Sequence, residues 1–196
     1  MRSIYILLTR SKTLASRLVY LATEAQYTHS SLAFEEDLDD LFSFGRKYPR
    51  LILPAGLQVE SLRRGFYKRY NDIPCVLYEF RVEDEAYDAA RAIVNEMVNQ
   101  AERYSYNIFG LLSCKLGIVF DRRNKYFCSE FVAEVLDKSG AIKMPRAYSL
   151  MHPMDFTRLP GAIRLYEGNV GDLLEKITRQ IAEEACAFST SAIPVC

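Results

Sequence analysis

The chain has 196 residues, 49% apolar and 26% charged, with 25 basic residues balanced by 25 acidic ones. This length fits one sizeable domain that buries roughly 70% of its unfolded surface, so neither disulfides nor a structural metal is needed to hold it together. A formal net charge of zero removes any overall field that would steer nucleic acid or an anionic surface toward it. The short basic stretches at Arg63, Arg64, Lys68 and Arg69, and at Arg122, Arg123 and Lys125, read as solvated faces.

Cysteine usage points the same way. Cys75, Cys114, Cys128, Cys186 and Cys196 form no CxxC pair, and their odd count argues against a disulfide framework or a zinc knuckle. With only His29 and His152 available, an all-protein metal site is poorly supplied, and no cofactor is implied. A reducing compartment fits best. The apolar run Ile4 to Leu8 is cut off by Thr9-Arg10, too short for a signal peptide, and no run approaches a membrane span. The expectation is therefore a cytoplasmic protein with no membrane span and no nucleic-acid partner.

In chain order, residues 3–9 (SIYILLT) read as a buried strand, and Thr13 caps a helix bearing Leu14, Leu18, Leu21 and Ala22. A hairpin follows, with strands near 29–34 and 40–46 around an acidic turn. Residues 49–73, broken by Pro49, Pro54, Gly56 and Gly65, read as an irregular surface excursion. A strand over 76–82 precedes an amphipathic helix from about 83 to 103, with Ala86, Ala90, Ile93, Val94 and Met97 on its apolar stripe. Residues 104–113 turn into a short apolar helix. Residues 126–140 form a helix starting at or just before Cys128 and stopping at Gly140. The proline of MHPMDF starts a short helix, 162–168 is a last strand, and 171–186 a last helix. The order predicts an α+β domain with a mostly antiparallel sheet over 1–168, then a C-terminal helix and tail over 169–196.

Cys128 is the first chemical candidate. A thiol attacks as thiolate, and the first turn of a helix stabilises that anion through its unpaired N–H groups and dipole. Phe131, Val132, Val135 and Leu136 form the buried stripe behind it. The same N–H groups suit an oxyanion hole, while a small buried hydrophobe at a helix start is the plainer alternative. His29 opens a strand whose apolar alternation begins only at Leu32, which places its ring at an exposed strand end. His152, 24 residues beyond Cys128 and followed by a proline, is the rival base and ranks second.

FCSEFVAEVL resembles the DCSGFVxxV nucleophile helix of NlpC-type cysteine peptidases. Here histidine precedes cysteine by about 100 residues, within a TH-S-x-L-A-F strand followed at once by a second strand. That order is similar to the circularly permuted branch, which includes YiiX-like proteins and relatives of lecithin-retinol acyltransferase. The Y-x-Y-N-x-x-G and H-P-M-D-F stretches extend the likeness over roughly residues 4–166, in patches. The resemblance implies a permuted papain-like fold and a cysteine peptidase or amidase acting through a Cys128 thioester, with His29 as base. Its partner would be a peptide or acyl-bearing substrate. It also implies a third polar residue on the strand after the histidine, which falls on Ser43 where the family more often has a carboxylate or an imidazole. Asp40 and the turn acids Glu35, Glu36, Asp37 and Asp39 are alternatives, and an aspartate at position 43 is expected to serve better than serine. Tyr27, Tyr106 and Asn107 are candidates to line the substrate pocket, with packing as the plainer alternative, and Arg46 and Lys47 are either partners of a substrate carboxylate or exposed strand-end cations. An acyltransferase or thioesterase acting on lipid, and a non-catalytic binding module on the same fold, are the alternatives in function.

Overall fold

A computed structural model describes residues 1–10, 25–46, 55–120 and 122–191. The expected helix after Thr13, Lys47, the start of the 49–73 excursion and the tail with Cys196 lie outside the described residues, as does the side chain of Arg46.

In order, the elements are β1 (Arg2–Thr9), β2 (His29–Ala33), β3 (Leu41–Arg46), β4 (Ala55–Glu60), α1 (Gly65–Arg69), β5 (Pro74–Val82) and α2 (Asp84–Asn99). They continue with β6 (Ser105–Tyr106), α3 (Ile108–Lys115), β7 (Lys125–Tyr126), α4 (Cys128–Lys138), β8 (Ile163–Asn169) and α5 (Val170–Ser191), with short 3-10 turns between. The fold is α+β. Six strands form one sheet in the order β4-β3-β2-β1-β5-β8, every neighbour antiparallel, while β6 and β7 make a small parallel pair.

Helices cover both faces of the sheet, and β1 shows why its sequence is apolar almost throughout. Ile4, Ile6 and Leu8 point into one core, with Phe44, Phe80, Tyr87, Val94 and the α4 residues Phe131, Val132 and Leu136. Tyr5 and Leu7 point into the other, with Leu41, Leu62, Tyr67, Leu77 and the α5 residues Val170, Leu173 and Ile177. Period-two alternation therefore distributes one apolar run between two cores. Phe131 is fully buried, so Phe131→Ala would cost about 3–5 kcal/mol and loosen the seat of α4 on the sheet. Gly140 ends α4 with a φ of +76°, a conformation in which a side chain is strained.

Residues 55–69 correct the expectation of an irregular excursion. They hold β4, fully laddered onto β3 from Leu41↔Glu60 to Arg46↔Ala55, and the single helical turn pair of α1. Gly56 punctuates the sequence, yet it suits an edge strand, where a missing side chain is tolerated. The consequence falls on the site, because β4 ends at Glu60.

Candidate functional site

The site lies where the start of α4 meets the ends of β2 and β4. Phe127 is extended, and its amide donates to Glu130 Oε2 at 3.3 Å, which helps fix where the helix begins. Tyr126 pairs with Tyr106 across β6 and β7, and its carbonyl accepts from the Asn107 amide at 2.9 Å. On the far side, Ser129 Oγ donates to the Met151 carbonyl at 2.6 Å. Cys128 is thus held from both flanks. Its N–H lies in the first turn of α4, where helix geometry supplies no acceptor within the helix.

His29 stands opposite Thr9 at the mouth of β2, and its side chain is 23% exposed. The His29 ring and the Cys128 thiol lie close enough for each to shift the other's titration. The His29 Nε2 atom lies 3.4 Å from Glu60 Oε2. Ser43 Oγ donates to that same carboxylate oxygen at 2.9 Å. Leu41 opposes Glu60 and Gln58 opposes Ser43, so Ser43 and Glu60 are diagonal neighbours on one face of β3 and β4. A β-carbon placed on Gly45 would be 3.8 Å from His29 Cε1 and 3.9 Å from Ser43 Oγ, so Gly45 flanks the ring.

The charges follow from these contacts. Burial opposes an imidazolium, yet the hydrogen bonds to Cys128 and Glu60 outweigh it and lift His29 from 6.5 to about 10. Burial likewise opposes the thiolate, but His29 and the Ser30 backbone N–H overcome that cost and bring Cys128 below the usual thiol range. Glu60 is also held below the ordinary carboxylate range, against burial, by His29 and Ser43. Along this row the contacts favour the thiolate, the imidazolium and the carboxylate over their neutral forms.

Ser43 therefore reaches His29 through Glu60, and the expectation that Ser43 itself orients the ring is corrected. A hydroxyl is a weak partner for an imidazolium; a carboxylate on the next strand supplies the charge, and the serine holds the carboxylate. The turn acids take other roles. Glu35 pairs with Arg91 at 2.7 Å, and Asp39 accepts from Ser61 at 2.8 Å. What pointed to Glu60 in the sequence was its place at the end of AGLQVE, once that stretch is seen as a strand.

His152 is not the base for Cys128. Its ring meets Cys114, with Nε2 3.6 Å from the sulfur. Burial, then Asp155 and Glu130, push the Cys114 thiol up to about 12, so this second pair stays neutral on the sulfur side. Cys75 is likewise pushed up to about 12 by burial and Asp172.

The three expected pocket residues have structural roles. Tyr27 is buried in the first core, and its hydroxyl donates to Glu167 at 3.2 Å, at the sheet edge away from β4. Tyr106 packs against the same core from β6. Asn107 caps α3, its Oδ1 accepting from the Gly110 amide at 2.8 Å.

No family model matches the chain, and no curated protein matches it.

Proposed function

We propose that the chain is a cysteine hydrolase of the permuted papain-like type, cleaving an amide or ester bond with Cys128 as nucleophile, His29 as acid and base, and Glu60 as orienter. The observation that carries this is the row of buried Cys128 and part-buried His29 and Glu60, whose shifts all favour the charged state against the cost of desolvation. Charged groups withdrawn from water stabilise a fold poorly compared with apolar packing. Strongly perturbed groups gathered at a cleft suit chemistry better, which favours an enzyme over a binding module.

In this mechanism the Cys128 thiolate attacks the acyl carbon, and the carbonyl electrons move to oxygen. Helix N–H groups at the start of α4 stabilise that oxyanion. The His29 imidazolium gives its proton to the leaving amine or alcohol as the bond breaks, leaving a Cys128 thioester and a neutral ring. Glu60 at Nε2 keeps the ring oriented and the imidazolium stable. Neutral His29 then takes a proton from water, whose hydroxyl attacks the thioester, and the acid product leaves with the thiolate restored.

Cys75, Cys114 and Cys128 carry free thiols, which suits a reducing compartment such as the cytoplasm. The test is thioester capture: incubation with p-nitrophenyl acyl esters and peptidyl amides, followed by mass spectrometry of Cys128 after acid quench. A Cys128 acyl adduct that decays in water supports hydrolysis. Decay only upon adding an amine or alcohol would make the protein an acyltransferase. No adduct with any acyl donor would overturn the reading.

A further inference from the structure

Five of the ten large hydrophobic side chains that stand exposed among the described residues fall in one stretch of twelve: Ile108, Phe109, Leu116, Ile118 and Val119, at 42%, 66%, 65%, 54% and 58% exposure. Scattered exposed apolar residues need no explanation, but a contiguous set does. The stretch is built, not loose. Gly117, with φ +68°, reverses the chain after α3, and the amides of Gly117 and Ile118 donate back to the carbonyls of Cys114 and Ser113 at 3.1 and 3.0 Å. Leu116, Ile118 and Val119 of this closed turn stand exposed.

Charge decides what covers the patch. Residues 108–125 carry Lys115, Arg122, Arg123 and Lys125 against Asp121 alone, in a chain whose net charge is zero. Arg122 and Arg123 are exposed. The Arg122 guanidinium lies 4.9 Å from the Phe120 ring centroid and 5.9 Å from that of Phe109, so the cation rims the apolar surface. Protruding apolar side chains ringed by arginine match the boundary of an anionic bilayer, where acyl chains meet negative headgroups. No helix among the described residues is long and apolar enough to cross a membrane, so contact through this patch would be peripheral.

We infer that the α3 tip, residues 108–120 with Arg122 and Arg123, docks the protein onto an anionic lipid surface. The inference stands independently of the hydrolase reading. The patch is also joined to the Cys128 flank: Cys114 of α3 meets His152, and the preceding residue, Met151, is bonded to Ser129.

Cosedimentation with phosphatidylcholine vesicles, with and without phosphatidylserine, tests this on the full chain and on Cys128→Ala in parallel. Both should bind the phosphatidylserine vesicles and release them as salt is raised. Arg122→Glu with Arg123→Glu should weaken binding by more than about tenfold, since each cation near the surface contributes roughly fivefold. Phe109→Ser with Val119→Ser should weaken it comparably, with circular dichroism unchanged. Equal binding to both vesicle types would overturn the inference. So would variants that bind as well as the parent, or a patch that instead drives self-association lost in Val119→Ser without any vesicle binding.

Discussion

Glu60 lies 3.4 Å from His29 across a sheet in which their strands are not neighbours; β3 runs between them. Glu60 opposes Leu41 while the His29 ring lies beside Gly45, so the two side chains meet over the face of β3 that carries Ser43, and Gly45 has no side chain to fill the space there. A carboxylate buried this way would be costly if unpaired, and its two partners, His29 and Ser43, come from the two strands before it. The third strand of this sheet region therefore supplies the charge that the other two organise.

The first consequence concerns thiol reactivity. Iodoacetamide reacts with thiolates, and Cys128 lies below the usual thiol range while Cys75 and Cys114 are pushed up to about 12. Near neutral pH, Cys128 should be alkylated at least about a hundredfold faster than Cys75 or Cys114 in the native protein, as read by peptide mass spectrometry. Comparable rates at the three sites would remove the basis for Cys128 as nucleophile. Cys128→Ala should abolish acyl transfer, with a drop of at least about a thousandfold, and leave thermal unfolding nearly unchanged.

A second prediction separates the two histidines. His29→Ala should remove activity to the same degree as Cys128→Ala, because the two act as a unit. His152→Ala should leave kcat/KM within about a factor of a few, since its ring meets Cys114 rather than Cys128. The reverse ranking would move the base to His152.

The pH profile follows from the ion pair. Lowering the pH protonates the Cys128 thiolate, so activity falls on the acid side through a value below the ordinary thiol range. Raising the pH strips the His29 imidazolium near about 10, which removes the acid that serves the leaving group. The values belong to the coupled pair rather than to either residue alone. Glu60→Gln removes the negative charge at Nε2, so the alkaline limb of kcat/KM should move down and the acid limb up, with the maximum lowered by about a hundredfold or more. An unchanged profile in Glu60→Gln would show that Glu60 is a bystander.

How much of this was legible in the sequence depends on range. The strands of β1, β2, β3, β5 and β8 and the helices α2, α4 and α5 lie where periodicity predicts them, because apolar spacing is a local signal. The start of α4 at Cys128 was legible for the same reason, through the stripe from Phe131 to Leu136. β4 was not, since AGLQVE has one buried apolar residue, Leu57, and leaves Val59 half exposed at the sheet edge. Its register against β3 is a tertiary fact. Glu60 was hidden with it, and the acidic turn from Glu35 to Asp40, closer to His29 in sequence, drew attention instead. Asn107 and Tyr27 carry polar groups close in sequence to the candidate residues, but the helix cap and the bond to Glu167 that occupy them depend on partners the sequence does not announce.

Ser43 gives the sharpest test of the whole arrangement. If a hydroxyl at 43 acted on His29 directly, aspartate there would supply a better partner and raise the rate. In the structure the hydroxyl instead donates to Glu60 Oε2 at 2.9 Å and helps keep that carboxyl ionised. Ser43→Ala should then lower kcat/KM by about fivefold, the loss of roughly 1 kcal/mol of hydrogen bonding. It should also narrow the pH profile in the same sense as Glu60→Gln, only less. Ser43→Asp sets a second carboxylate against the first, and like charges at that separation raise one pKa strongly. Either Glu60 or Asp at 43 then takes a proton, the site loses its donor geometry, and activity should fall below that of Ser43→Ala. The double variant Ser43→Asp with Glu60→Ser restores one carboxylate and one hydroxyl with their positions exchanged, and should recover part of the loss. A rate for Ser43→Asp above the parent's, measured with the same substrate across the pH range, would return the orienting role to position 43.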